Sequence, residues 1–247
     1  MSLNNQNNII VIGSYGGIGQ ALVNILTSHN ANVLLVGRDE DKLKNQASAT
    51  GQHHAVCDAT RFDEVDACVA DFKSHGDITA IVNLPGSILL KPCQLLTEKD
   101  IDDTIAVNLK TAFAAARAAA KHMAKTGGSV VMMSTAAVHI GLPNHEAIAA
   151  AKGGVEGLMR SAAATYAKNQ LRFNCVAPGL VDTPLAKNIT GNERALDVSL
   201  RAHPLGRIGN PDDIARAIAF LIDPDNSWIS GQVITVDGGL SGLKLMA

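Results

Sequence analysis

The stretch Ile9-Ile10-Val11-Ile12-Gly13-Ser14-Tyr15-Gly16-Gly17-Ile18-Gly19-Gln20-Ala21-Leu22-Val23 decides how the chain is read. An apolar run without alternation reads as a strand near 8–13 covered on both faces, and the pattern after the glycines reads as a helix near 17–29. Glycine at 13, 17 and 19 lets the backbone turn sharply, approach a pyrophosphate closely and pack the helix on the sheet, with free helix N–H groups facing the anion. The turn residues Gly13, Ser14, Tyr15, Gly17, Ile18 and Gly19 are therefore candidate nucleotide contacts. A tight strand-to-helix turn with no ligand is the plainer reading of a glycine cluster, but placement after the first strand and before a helix favours binding.

Outward from this turn, short apolar runs alternate with longer amphipathic segments. Strands are expected near 32–37, 53–57, 79–83, 128–133, 171–177 and 232–236, and helices near 39–48, 61–75, 97–125, 144–168 and 211–222. That rhythm predicts βαβ units, and so a single α/β domain over 1–247: a doubly wound, Rossmann-type seven-stranded parallel sheet flanked by helices. The stretch 184–210 is the least regular and is expected to be a lid.

A chain of 247 residues, 47% of them hydrophobic, can bury one sizeable core. Its 21 basic and 23 acidic residues are spread along the sequence, which gives no electrostatic footprint for nucleic acid or an anionic membrane. A small molecule is the expected partner. Cys57, Cys68, Cys93 and Cys175 lie far apart with no Cys-x-x-Cys pair, which argues against a disulfide framework or a metal site. No basic segment precedes an apolar run at the N-terminus and no later run reaches membrane-spanning length, so a cytoplasmic protein is expected.

The spacing of Gly13, Gly17 and Gly19 resembles the G-x-x-x-G-x-G turn of the short-chain dehydrogenase/reductase family, with Ile12 where that family often has threonine. Asn83-Leu84-Pro85-Gly86 is similar to its N-N-A-G turn, and Pro178-Gly179-Leu180-Val181-Asp182-Thr183 to the loop that holds the nicotinamide and phosphates. Pro204 to Gly209 and Gly231 to Gly239 also resemble the family, so the likeness runs from about 8 to 242. It implies cofactor contacts at Asn83, Gly86, Pro178, Gly179, Val181 and Thr183, and an adenine contact at Asp58, which as readily caps the following helix. At the end of the second strand the position for an acidic ribose partner is Gly37, and Arg38 follows; a cation there pairs with a 2′-phosphate, favouring NADP(H) over NAD(H). A solvated arginine is the plainer alternative.

The resemblance further implies a Ser-Tyr-Lys set supported by asparagine. Asn108 and Lys152 match, and the serine falls on Thr135 with Ser134 beside it. Where the tyrosine belongs stands Ile148, which can neither exchange a proton nor polarise a carbonyl. His145, Ile148 and Lys152 at i, i+3 and i+7 are expected on one helical face, making His145 a candidate acid/base, unless it is a first-turn residue of a helix capped by Asn144. His139 is a weaker alternative. Two functions follow: an oxidoreductase moving hydride between NADP(H) and a carbonyl or secondary alcohol, or a catalytically inactive nucleotide-binding protein. The alanine-rich segments 111–120 and 147–164, by resemblance, imply a homodimer or homotetramer.

Overall fold

The structure, a computed structural model, describes residues 1–244, so the last three residues of the expected domain lie outside the described residues. Strands β1 (Asn8–Ile12), β2 (Asn32–Gly37), β3 (His53–Val56), β4 (Ile78–Asn83), β5 (Gly128–Met133), β6 (Leu171–Pro178) and β7 (Val233–Val236) form one sheet. Among the described residues its order is β3-β2-β1-β4-β5-β6-β7 and every pairing is parallel. Chain order reverses direction between β1 and β4, where loops leaving the two strands diverge and open a crevice.

Helices α1 (Gly17–Ser28), α2 (Glu40–Thr50), α3 (Phe62–Phe72), α4 (Glu98–Ile105), α5 (Thr111–His122), α6 (Glu146–Tyr166), α7 (Lys187–Thr190), α8 (Glu193–Ala202) and α9 (Pro211–Ile222) are the α-helices among the described residues, joined by short 3-10 turns and one π-helical turn. Successive β1 side chains serve opposite cores: Ile9 and Val11 pack with Leu22 and Ile218, and Ile10 and Ile12 with Ala115 and Val155. Helices on both faces explain why the strands read as unbroken apolar runs. The α/β doubly wound sheet expected from the sequence is the one observed. No helix of the described residues is long and apolar enough to cross a membrane.

Three local expectations are corrected. The helix expected over 97–125 is broken into α4, a π-helical turn at Ala106–Lys110 and α5. The wide turn places Asn108, fully buried, so that its Nδ2 donates to the Thr104 carbonyl at 3.0 Å and to Ser87 Oγ at 2.9 Å. Asn144 does not cap α6: it sits at φ 62°, the helix starts at Glu146, and His145 is its N-cap residue without a capping side-chain bond. The stretch 184–210 is less irregular than expected, because Asn192 caps α8 by accepting from the Ala195 N–H at 3.0 Å.

Candidate active site

The glycine turn closes at the C-terminal end of β1. Gly13 adopts φ +83°, a conformation strained for any residue with a Cβ, and its N–H and that of Ser14 both donate to the Val36 carbonyl, at 2.7 and 3.3 Å. A Cβ on Gly19 would collide with the carbonyl oxygens of Gly13 and Ser14, and one on Gly17 would lie 3.0 Å from Thr183 Cγ2. Backbone therefore lines the turn where α1 begins, and that helix carries no acidic residue in its first turn. Such a cradle fits a dinucleotide pyrophosphate. Ser14 points away from it: its hydroxyl donates to Gln46 Oε1 and Gln46 Nε2 donates back to the Ser14 carbonyl, each at 2.9 Å. Tyr15 lays its ring over Gly37 so closely that any side chain there would clash, and its hydroxyl accepts the Arg38 N–H at 3.3 Å.

Two branches of one crevice meet at Gly13, Gly16, Leu84 and Gly86. One runs past Tyr15, Gly37, Arg38, Cys57 and Asp58 at the ends of β2 and β3. Among the described residues no carboxylate pairs with Arg38; Asp39 instead caps α2 through the Lys42 N–H and pairs with the Lys42 ammonium at 2.9 Å. The Asp58 carboxylate accepts the Thr60 N–H and hydroxyl, which holds it below the ordinary carboxylate value, so it caps this turn rather than α3. In the same branch the neighbouring Cys68 thiol and burial push the Cys57 thiol up, and both cysteines are free.

The other branch gathers Gly17, Ile18, Gly19, Asn108, Ser134, Thr135, Ile148, Lys152, Pro178, Gly179, Val181 and Thr183 around one cavity. Lys152 is 5% exposed, and burial, opposed only weakly by neighbouring Cys175, lowers its ammonium from 10.5 to about 8. Asn108 Oδ1 accepts the Ser87 N–H at 3.2 Å, and Thr135 Oγ1 accepts the Ala137 N–H at 3.3 Å. Two expected contacts lie elsewhere. Asn83 is buried and donates to Thr111 Oγ1 at 3.3 Å, behind the crevice. His145 does not share the inward face of Ile148 and Lys152, because its helix has not begun; its Nδ1 meets the Pro143 carbonyl at 2.8 Å and the ring stays outside the cavity lining. Sequence reasoning missed Ser87, Ile88 and Met133, which also line the cavity and stand in no motif that assigns them a contact; Leu185 and Ala186 enter it from the stretch expected to be a lid.

A glycine turn at the switch point of a doubly wound sheet, with a lysine, an amide and hydroxyls on the adjoining cavity, defines a dinucleotide-dependent oxidoreductase. Residues 13–241 match the family model described as Enoyl-(Acyl carrier protein) reductase. The chain belongs to the short-chain dehydrogenase/reductase family and is an NAD(P)-dependent oxidoreductase. It is 32% identical over 240 residues to the 3-oxoacyl-(acyl-carrier-protein) reductase FabG of Chlamydia muridarum, covering 94% of this chain and 96% of that protein. A tropinone reductase homologue of Arabidopsis thaliana is 30% identical, with 94% and 91% covered. Among solved structures, a short-chain type dehydrogenase/reductase from Mycobacterium ulcerans superposes with a TM-score of 0.93 at 28% identity, over 98% of this chain and 91% of its own. Levodione reductase gives 0.92 at 26% identity, over 98% and 100%.

Gly17→Val is expected to abolish dinucleotide binding in calorimetric titration while leaving the circular dichroism spectrum intact, because the new side chain meets Thr183 across the cradle. Normal binding by the folded variant would place the cofactor elsewhere. Lys152 also makes a pH signature. Its folded value of about 8 lies below the unfolded 10.5, so the unfolded chain binds more protons between those values and stability rises with pH across that window. Lys152→Met is expected to flatten that rise and to stabilise the protein at neutral pH by roughly 3 kcal/mol, read from urea unfolding with the cofactor absent.

Proposed function

We propose that this chain reduces a carbonyl, or oxidises the corresponding secondary alcohol, with NADP(H) as its preferred cofactor. The observation that carries the reading is the convergence of Lys152, Thr135, Ser134 and Asn108 on one cavity continuous with the glycine turn. When bound, the cofactor supplies or takes up the hydride. Its pyrophosphate would rest on the backbone of Gly13, Gly17, Ile18 and Gly19, its adenine near Asp58, its 2′-phosphate on Arg38, and its nicotinamide side against Pro178, Gly179, Val181 and Thr183. Lys152 is placed to hold the ribose, and Thr135 to donate a hydrogen bond to the substrate oxygen, since its hydroxyl oxygen already accepts from the backbone and its own hydrogen is free to turn.

The substrate half is walled by Ile88, Met133, Ile148, Leu180 and Leu185, so an apolar carbonyl compound of small or medium size is favoured over a charged one. Leu185 and Val198, both exposed, belong to the stretch 184–210, which we read as a lid that buries apolar surface when substrate enters. The groove between α5 and α6, lined by Phe113, Ala116, Leu158 and Tyr166, supports a homo-oligomer, and four unpaired thiols suit a reducing cytoplasm. Ile148 stands where the family places its tyrosine, the one feature that favours a binding protein without turnover. The relatives, named as reductases, lend that alternative no support.

Arg38→Ala is expected to weaken NADPH binding by about 10- to 100-fold, the loss of a charge-assisted contact, while NADH binding changes little. Equal affinity of the unaltered protein for both cofactors would overturn the NADP(H) preference. If the missing phenol limits the rate, Ile148→Tyr is expected to raise carbonyl reduction by about 10²-fold or more in steady-state assays, with Lys152 beside the new hydroxyl lowering its pKa. A rate unchanged by this substitution would show that the proton step already has another donor.

A further inference from the structure

Behind the substrate half of the cavity lies a chain of polar groups that the reading above leaves without a task. Ser134 Oγ–H donates to Glu156 Oε1 at 2.7 Å, and His139 Nε2 lies 2.9 Å from the same oxygen. Arg160 holds the other carboxylate oxygen at 2.9 Å. Glu156 is 2% exposed, Ser134 borders the cavity beside Ile148 and Lys152, and the His139 side chain is 33% exposed. Ser134 on the cavity side and the partly exposed His139 thus stand on either side of one buried carboxylate oxygen, each within 3 Å of it. Thr135, the neighbouring hydroxyl, has no such connection: its oxygen meets only the Ala137 N–H.

We propose that Ser134 delivers the proton to the substrate oxygen and is recharged through Glu156 and His139, a path that makes a tyrosine at position 148 unnecessary. The proposal rests on the carbonyl-reductase reading. As hydride from the reduced nicotinamide reaches the carbonyl carbon, the Ser134 hydroxyl rotates toward the carbonyl oxygen, its O–H bond breaks and the product O–H bond forms. Glu156 Oε1 draws the proton from His139 Nε2 and passes it to Ser134 Oγ, and His139 regains a proton from water. The net reaction consumes one hydride and one solvent proton per alcohol formed. Ser134 is the catalytic residue of the set; Glu156 and His139 act through it.

The test uses the full chain loaded with NADPH and a panel of apolar ketones and aldehydes. Ser134→Ala and Glu156→Gln are each expected to cut single-turnover reduction by about 10²–10⁴-fold and to alter the solvent deuterium isotope effect, with NADPH affinity unchanged. His139→Ala, on the surface side of the path and least disturbing to the fold, is expected to lose rate and to regain it in proportion to added imidazole, which a merely structural role would not allow. In the cofactor-free protein, the His139 Nε2–H proton resonance is expected in the unaltered chain and lost in Glu156→Gln, a readout independent of turnover. If the unaltered protein binds NADPH and reduces no carbonyl, the reductase reading fails and the path with it. If it reduces carbonyls while Glu156→Gln and His139→Ala keep the full rate and isotope effect, the path alone is overturned.

Discussion

Two amide protons share one carbonyl oxygen at the top of the sheet, and much of the site follows from that. Gly13 and Ser14 both donate to Val36, while the preceding carbonyl, that of Ile12, accepts from the Leu84 N–H at 3.0 Å. With β1 held between β2 and β4, the chain at Gly13 has neighbours on either side and leaves the sheet through a left-handed residue. α1 must then start within a few residues, which brings Gly19 onto the carbonyls of Gly13 and Ser14 and leaves no room for a side chain. The Gln46 clasp ties the same turn to α2, so the glycine turn is braced by two helices.

What was legible in the sequence is what depends on local period and steric demand. Strands covered on both faces show as apolar runs, and the glycines of the turn are required by backbone geometry that no other residue supplies. Features set by contacts between distant segments were not legible. Residues 97–125 contain no Gly or Pro to mark a break, whereas the π-turn coincides with the bond from Asn108 to Ser87, a partner from another loop. Gly37 reads in sequence as a missing acidic residue, but in the fold it is a glycine because the Tyr15 ring covers it. Helical periodicity counted back from Lys152 puts His145 on the face of Ile148, but the count runs through a residue that precedes the first turn. Glu156 reads as an ordinary helix residue, and only the meeting of α6 with the end of β5 makes it the partner of Ser134.

Lys152 borders the cavity, whereas the buried carboxylate of Glu156, one turn further along α6, lies outside the cavity lining and is turned to other partners. Glu156 is engaged by Ser134, His139 and Arg160, and the pKa of Lys152 is governed by burial with no carboxylate to offset it. A carboxylate paired directly with Lys152 would stabilise the ammonium but would also tether it and fill the space in which the proposed function places a ribose. Keeping the two apart leaves the lysine as an uncompensated donor, a costly state that the ribose hydroxyls of the proposed cofactor would relieve. It also leaves the carboxylate available to a hydroxyl on the cavity floor. Ile148, 6% exposed, stands one turn before Lys152 on α6 and presents an apolar side chain to the same cavity, so it offers the lysine no hydrogen-bond partner.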